Sequence, residues 1–129
     1  MATIERFEDL EAWKIARELT KEVYRVSKND SFFRDYGLRD QICRASVSVM
    51  SNIAEGFERD GNKEFVNFLS IAKGSSGEVR SQLYVALDQD YISENEFNLI
   101  YNKAAQNSRL ISGLIKYLNQ SNVKGIKFK

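Results

Sequence analysis

Side chains able to do chemistry are few in this chain, and their types are narrow. It holds serines, lysines, arginines, carboxylates and one cysteine, but no histidine. That absence removes together the Ser/His and Cys/His nucleophile pairs, a histidine-bearing zinc site and the Glu-x-x-His di-iron motif of helical bundles. Cys43 has no second cysteine to pair with, so it is expected as a reduced core or interface residue. A carboxylate-only site would need acids clustered in one cleft, and no spacing in the sequence provides that. The sequence therefore predicts no catalytic residues, no metal and no cofactor.

Two stretches remain that could bind rather than react. The segment "KGSSGE", residues 73 to 78, superficially resembles a phosphate-cradling loop. A P-loop needs a longer glycine-rich pattern ending in Gly-Lys-Ser/Thr between a strand and a helix, whereas this segment interrupts a helical period. Its small residues, 74 to 77, are read as allowing close helix approach at mid-bundle. The second stretch is C-terminal. From residue 93 onward it carries six basic side chains against Glu94 and Glu96, with no acid after Lys103, although the whole chain has a formal charge of only +1. Such asymmetry is the footprint of a surface for nucleic acid or an acidic partner, and oligomerisation would multiply it. Lys103, Arg109, Lys116, Lys124 and Lys127 are the candidate phosphate contacts. The alternative is a solubilising face that ends in a basic tail.

The elements that must position these residues are helices. Among 129 residues there is no proline and there are seven glycines, which argues for long uninterrupted helices in one domain. No apolar run approaches the roughly 20 residues of a membrane span, and the acidic N-terminus lacks a signal-peptide pattern, so a cytoplasmic protein is expected. Leu10, Trp13, Ala16, Leu19, Val23 and Val26 recur at steps of three and four, the buried face of a first helix. Residues 27 to 31 supply a turn, after which Phe32 and Phe33 are expected to pin the loop onto the bundle end. A second helix from about Tyr36 to Arg59 presents Leu38, Ile42, Ala45, Val49 and Ile53.

Asp60-Gly61 marks a turn with Asn62 as cap candidate, and a third helix runs from about Lys63 to Asp88 with Phe65, Phe68, Leu69, Ala72, Val79, Leu83 and Ala86 inward. Ser93 and Glu96 match a capping box. It opens a fourth helix carrying Phe97, Ile100, Ala104, Ser108, Ile111, Ile115 and Leu118. Long helices and short links predict an all-α, antiparallel up-down-up-down four-helix bundle over residues 1 to 120, with 121 to 129 as a basic flexible tail.

The second helix carries more than one stripe. Cys43, Val47, Met50, Ala54 and Phe57 form another apolar row beside the first, which suggests an oligomer interface or a central position in the bundle. The remaining arc collects Gln41, Ser48, Asn52, Glu55, Gly56 and Arg59. There Gly56 could admit another backbone while Asn52 bonds across the contact, and Glu55 can pair with Arg59 one turn on. An exposed ion pair beside a frayed helix end would read the same way.

Leu10-x-x-Trp13-x-x-Ala16, Tyr36-Gly37-Leu38, Gln41-x-x-Arg44-Ala45, Asn52-Ile53-Ala54-Glu55-Gly56, Arg59 and Phe68-Leu69-x-x-Ala72-x-Gly74-Ser75 together resemble the four-helix-bundle family named for the 23S rRNA intervening-sequence protein. The resemblance covers about residues 7 to 118. Where such proteins have Gly-Tyr-Leu before the last helix, this chain has Asp90-Tyr91-Ile92. The resemblance implies a ring-like homo-oligomer, typically a pentamer, and kinship with the accessory variability determinant of diversity-generating retroelements, which associates with a reverse transcriptase and nucleic acid. It also makes Gln41, Arg44, Asn52, Glu55, Gly56 and Arg59 a polar family motif. The expected function is non-enzymatic binding of structured RNA or a ribonucleoprotein through the last helix and tail. The alternative is a protein-binding oligomeric adaptor, such as a reverse-transcriptase accessory factor, that uses the second helix.

Overall fold

The computed structural model describes residues 4–120. Among them the chain forms a 3-10 turn, Phe7–Asp9, and five helices: α1 (Glu11–Val26), α2 (Asp30–Arg34), α3 (Tyr36–Glu58), α4 (Asn62–Asp88) and α5 (Glu94–Leu118), with no strand. The four long helices follow the apolar periods. The short α2 falls where a turn was expected: Phe32 is fully buried and stacks on Tyr91 at 5.4 Å, whereas Phe33 is exposed beneath the Arg39 guanidinium. Only one of the two aromatics pins the corner.

Side-chain chemistry starts two of the long helices. Asp35 caps α3, its carboxylate accepting from Leu38 N at 3.1 Å and from the Tyr91 hydroxyl at 2.9 Å. The capping box at α5 forms in full, with Ser93 Oγ accepting from Glu96 N and Glu96 Oε1 accepting from Ser93 N. At α4 the cap is Gly61, at φ 87°, and Asn62 is the first helical residue. Asp90 turns the chain toward α5 with φ 60°, a left-handed conformation that aspartate tolerates.

Helix α1 packs on α3 and α5, and α4 packs on the same two. Across α3 and α4, Gln41 meets Gln82, Ser48 meets Ser75 and Gly56 meets Phe65 and Phe68, so the numbers rise on one helix as they fall on the other. Two apolar clusters fill the interior. One gathers Leu19, Val23, Ile42, Leu83 and Ile100 beneath Phe32, and the other gathers Ala16, Ile53, Phe65, Leu69 and Ile111. Between them lies a polar belt. Ser76 Oγ donates to Ala104 O at 3.0 Å, Ser108 Oγ donates to Ser76 Oγ at 3.1 Å, and Asn107 Nδ2 donates to Ala12 O at 2.8 Å. Thr20 Oγ1 reaches Ser46 O from α1.

The glycines differ in what they permit. A Cβ on Gly56 would lie 2.7 Å from Phe68 Cβ and 3.0 Å from Phe65 Cδ1, so this residue admits α4 of its own chain. In "KGSSGE" the close approach belongs to the buried Ser75 and Ser76, while Gly74 has open space around it. Gly56→Ala should lower stability by about 1–2 kcal/mol, since overpacking at a rigid contact outweighs alanine's helix preference. Gly74→Ala should raise it by up to about 1 kcal/mol, since an exposed helical glycine gains from alanine. Denaturant melts of the two variants test the contrast, which reverses if Gly56 is free to move.

Candidate nucleic-acid interface

The three described members of the basic set do not share one face. Lys103 turns toward α1, where its Nζ sits 2.9 Å from Glu18 Oε1 and its side chain is only 22% exposed. Its charge is largely spent inside the subunit. Arg109 and Lys116 are exposed, two turns apart on α5, and neither takes part in an ion pair among the described residues. Lys124 and Lys127 lie outside the described residues.

The second stripe of α3 does not stay together as one face. Cys43 packs at the edge of one apolar cluster with its Sγ 3.7 Å from Ser27 Oγ, and Met50 packs at the edge of the other. Phe57 does not belong to a surface at all. It is 3% exposed and meets Phe65 edge-on, because its side of the helix turns into the core. Val47 is exposed and Ala54 is half-buried. A stripe next to the core stripe faces a neighbouring helix whenever its helix is flanked on both sides, as α3 is by α1 and α4.

The polar arc of α3 divides in the same way. Asn52 Nδ2 bonds back to Ser48 O and Oγ on its own helix, and Ser48 carries the contact to Ser75 of α4. Glu55, Arg59 and Glu64 form an exposed ion-pair chain, with the Arg59 guanidinium over Phe68. Gln41 and Arg44 line, with Ser48 and Glu78, a shallow cleft of about 260 Å³. Arg44 joins no ion pair among the described residues.

A larger open cleft, about 610 Å³, runs along α1 beside Trp13, which the helical period placed in the core and which instead stands half-buried under Arg17. Its acids and bases interleave, and Arg6 pairs with Asp9, so it carries no single-sign field. No group of three or more His, Cys, Asp or Glu side chains that could hold a metal occurs among the described residues, and none of their helices is long and apolar enough to cross a membrane. Sequence periodicity missed two cations, Lys73 and Arg80 on α4. Arg80 Nε is buried with no hydrogen-bond partner. The signal available was their seven-residue spacing, which places both on one helical face.

An all-helical bundle with a polar mid-layer and a basic flank on its last helix defines the class of protein. Residues 8–113 match the model of the 23S rRNA-intervening sequence protein family, and the chain belongs to that family. In fold it is similar to a crystal structure of a protein with unknown function from the S23 ribosomal protein family of Bacteroides thetaiotaomicron VPI-5482. The TM-score is 0.75 at 22% identity, over 81% of this chain and 98% of the other. None of the curated proteins compared with the chain matches it.

Burial pushes the Cys43 thiol above its ordinary value, only partly offset by the Ser27 hydrogen bond. The thiolate being the nucleophile, Cys43 should react with iodoacetamide more slowly in the folded protein at pH 8 than after urea unfolding. Equal rates would show the α1–α3 seam to be open.

Proposed function

We propose that the protein is a non-enzymatic homo-oligomer that binds structured RNA or a ribonucleoprotein in the cytoplasm, its subunit an antiparallel up-down-up-down four-helix bundle. The observation that carries the reading is the unpaired cationic flank of α5. Arg109 and Lys116 stand exposed and outside every ion pair among the described residues, on a helix with no acid between Phe97 and Leu118, and the tail lysines 124 and 127 would add to the same charge. Exposed unpaired cations cost a protein nothing in water and gain most from a polyanion, whose counterions they release. A ring of subunits, five in the family's usual arrangement, would repeat the flank around its rim.

Alanine at Arg109 and Lys116 together should lower the magnitude of the log-affinity against log-salt slope for a structured rRNA fragment by about 1.5, since each phosphate contact contributes about 0.7–0.9. Lys103→Ala should leave the slope nearly unchanged, because Glu18 already holds that ammonium. Equal effects from both would reject the division of the basic set. For the assembly, Val47→Asp is expected to lower the mass in solution without loss of helicity, and an unchanged mass by light scattering would move the interface elsewhere.

The cleft at Arg44 favours a second reading, a protein-binding adaptor. Gln82 is 9% exposed with Oε1 unpartnered beside Gln41, and the unpaired Arg44 stands at the cleft mouth. Pull-down with and without nuclease separates the two, since an RNA-bridged partner is lost on digestion and a directly bound one is kept.

A further inference from the structure

The last turns of α5 carry two apolar rows. Ile111, Ile115 and Leu118 pack into the core, with Ile111 and Leu118 buried. Leu110, Leu114 and Tyr117, at steps of four and three, form the second row and stand only half-buried at the edge of the same cluster. Their outer side lines an open groove of about 320 Å³ whose other lip is Leu10, Glu11 and Ala12. Gly113 lies in the groove between the two leucines, and a Cβ there would meet nothing within 4 Å. An apolar row is thus left open on a helix that α1 and α4 otherwise cover.

The chain itself supplies a segment of matching chemistry. Helix α5 stops at Leu118, and Gln120 N bonds to Tyr117 O at 3.3 Å, so the chain leaves the helix beside the end of the groove. Residues 121 to 129 read "SNVKGIKFK". In extended chain Ile126 and Phe128 fall on one side while Lys127 and Lys129 fall on the other. The two apolar side chains are then about 6.6 Å apart, and Leu110 and Leu114 are about 6 Å apart along the helix axis. The spacings match. Six extended residues from Gln120 to Ile126 reach about 20 Å, more than the roughly 9 Å back along α5 to Leu114, which leaves slack for a turn at Ser121-Asn122, both turn formers.

We propose that residues 122 to 128 double back along α5 and dock in this groove, Ile126 against Leu114 and Phe128 against Leu110 and Leu10, with Lys127 turned outward. Charge supports the placement. The stretch leading to the α1 lip, residues 5 to 11, holds Glu5, Glu8, Asp9 and Glu11 against Arg6 alone, and Glu11 lines the groove. Lysines 124, 127 and 129 find countercharge on that side, while Arg109 stands on the opposite lip. A second copy of the chain fits less well, because a stable interface between copies buries about 1,200–2,000 Å² and this groove admits little more than a pair of side chains. The docking does not depend on the RNA-binding reading.

The test places a nitroxide at position 127 of the full chain, by Lys127→Cys in a Cys43→Ser background, and reads leucine methyl signals by NMR. Signals of Leu10, Leu110 and Leu114 are expected to be lost, whereas those of Leu38 and Leu87, which pack on the other apolar cluster, persist. Phe128→Ser should restore the lost signals, and so should Gly113→Phe, which fills the groove without removing a packed side chain, with circular dichroism confirming both folds. Full signals in the parent, or losses that survive in both variants, would overturn the docking. A mixture of spin-labelled chain with isotope-labelled, spin-free chain covers the remaining case. Losses at Leu110 and Leu114 in that mixture would give the groove to the tail of a second copy and overturn the intrachain strap.

Discussion

At Gly56 the α3 backbone approaches α4 so closely that a single methyl group would meet Phe68 Cβ at 2.7 Å. That approach brings Ser48 within 2.9 Å of Ser75 and sets Gln41 beside Gln82 further along the seam. With α4 held there, its other flank is free to take α5, and the other flank of α3 is left for α1. Each long helix thus has two neighbours and one outward side, and the chemistry of the surface follows from which side chains those neighbours leave uncovered.

The long elements were legible because their apolar steps of three and four are unbroken by proline, and because the Ser93–Glu96 box marks a helix start by side chains alone. The misreadings share a cause. A helical wheel locates a stripe but not its partner, so Phe57 read as surface though α4 covers it, and Lys103 read as free though Glu18 of another helix reaches it. The one-turn α2 escaped because five residues are too few to display a period. Gly56 was rightly singled out as a site of close approach, but sequence could not say that the approaching backbone belonged to the same chain.

The electrostatics illustrate the same limit from the other direction. A run without acids along α5 looks like one basic face, yet a helix distributes its residues all round its axis. Lys103 goes to Glu18 of α1, Arg109 lines an open groove with Leu10, Glu11 and Ala12, and Lys116 stands exposed. Family membership and a shared fold say what kind of scaffold presents these charges.

The belt of Ser76, Asn107 and Ser108 between the two apolar clusters bears on alignment more than on strength. A core of leucine and alanine alone is nearly indifferent to sliding one helix by a turn past the next, since apolar contacts carry no direction. Asn107 can donate to Ala12 O in only one alignment of α1 with α5, and Ser76 can meet Ser108 in only one alignment of α4 with α5. Any slip strands several buried polar groups at once, each costing about 1–3 kcal/mol. The bundle therefore behaves as an indexed device: its helices stop at one setting, and side chains on different helices keep a constant spacing at the surface.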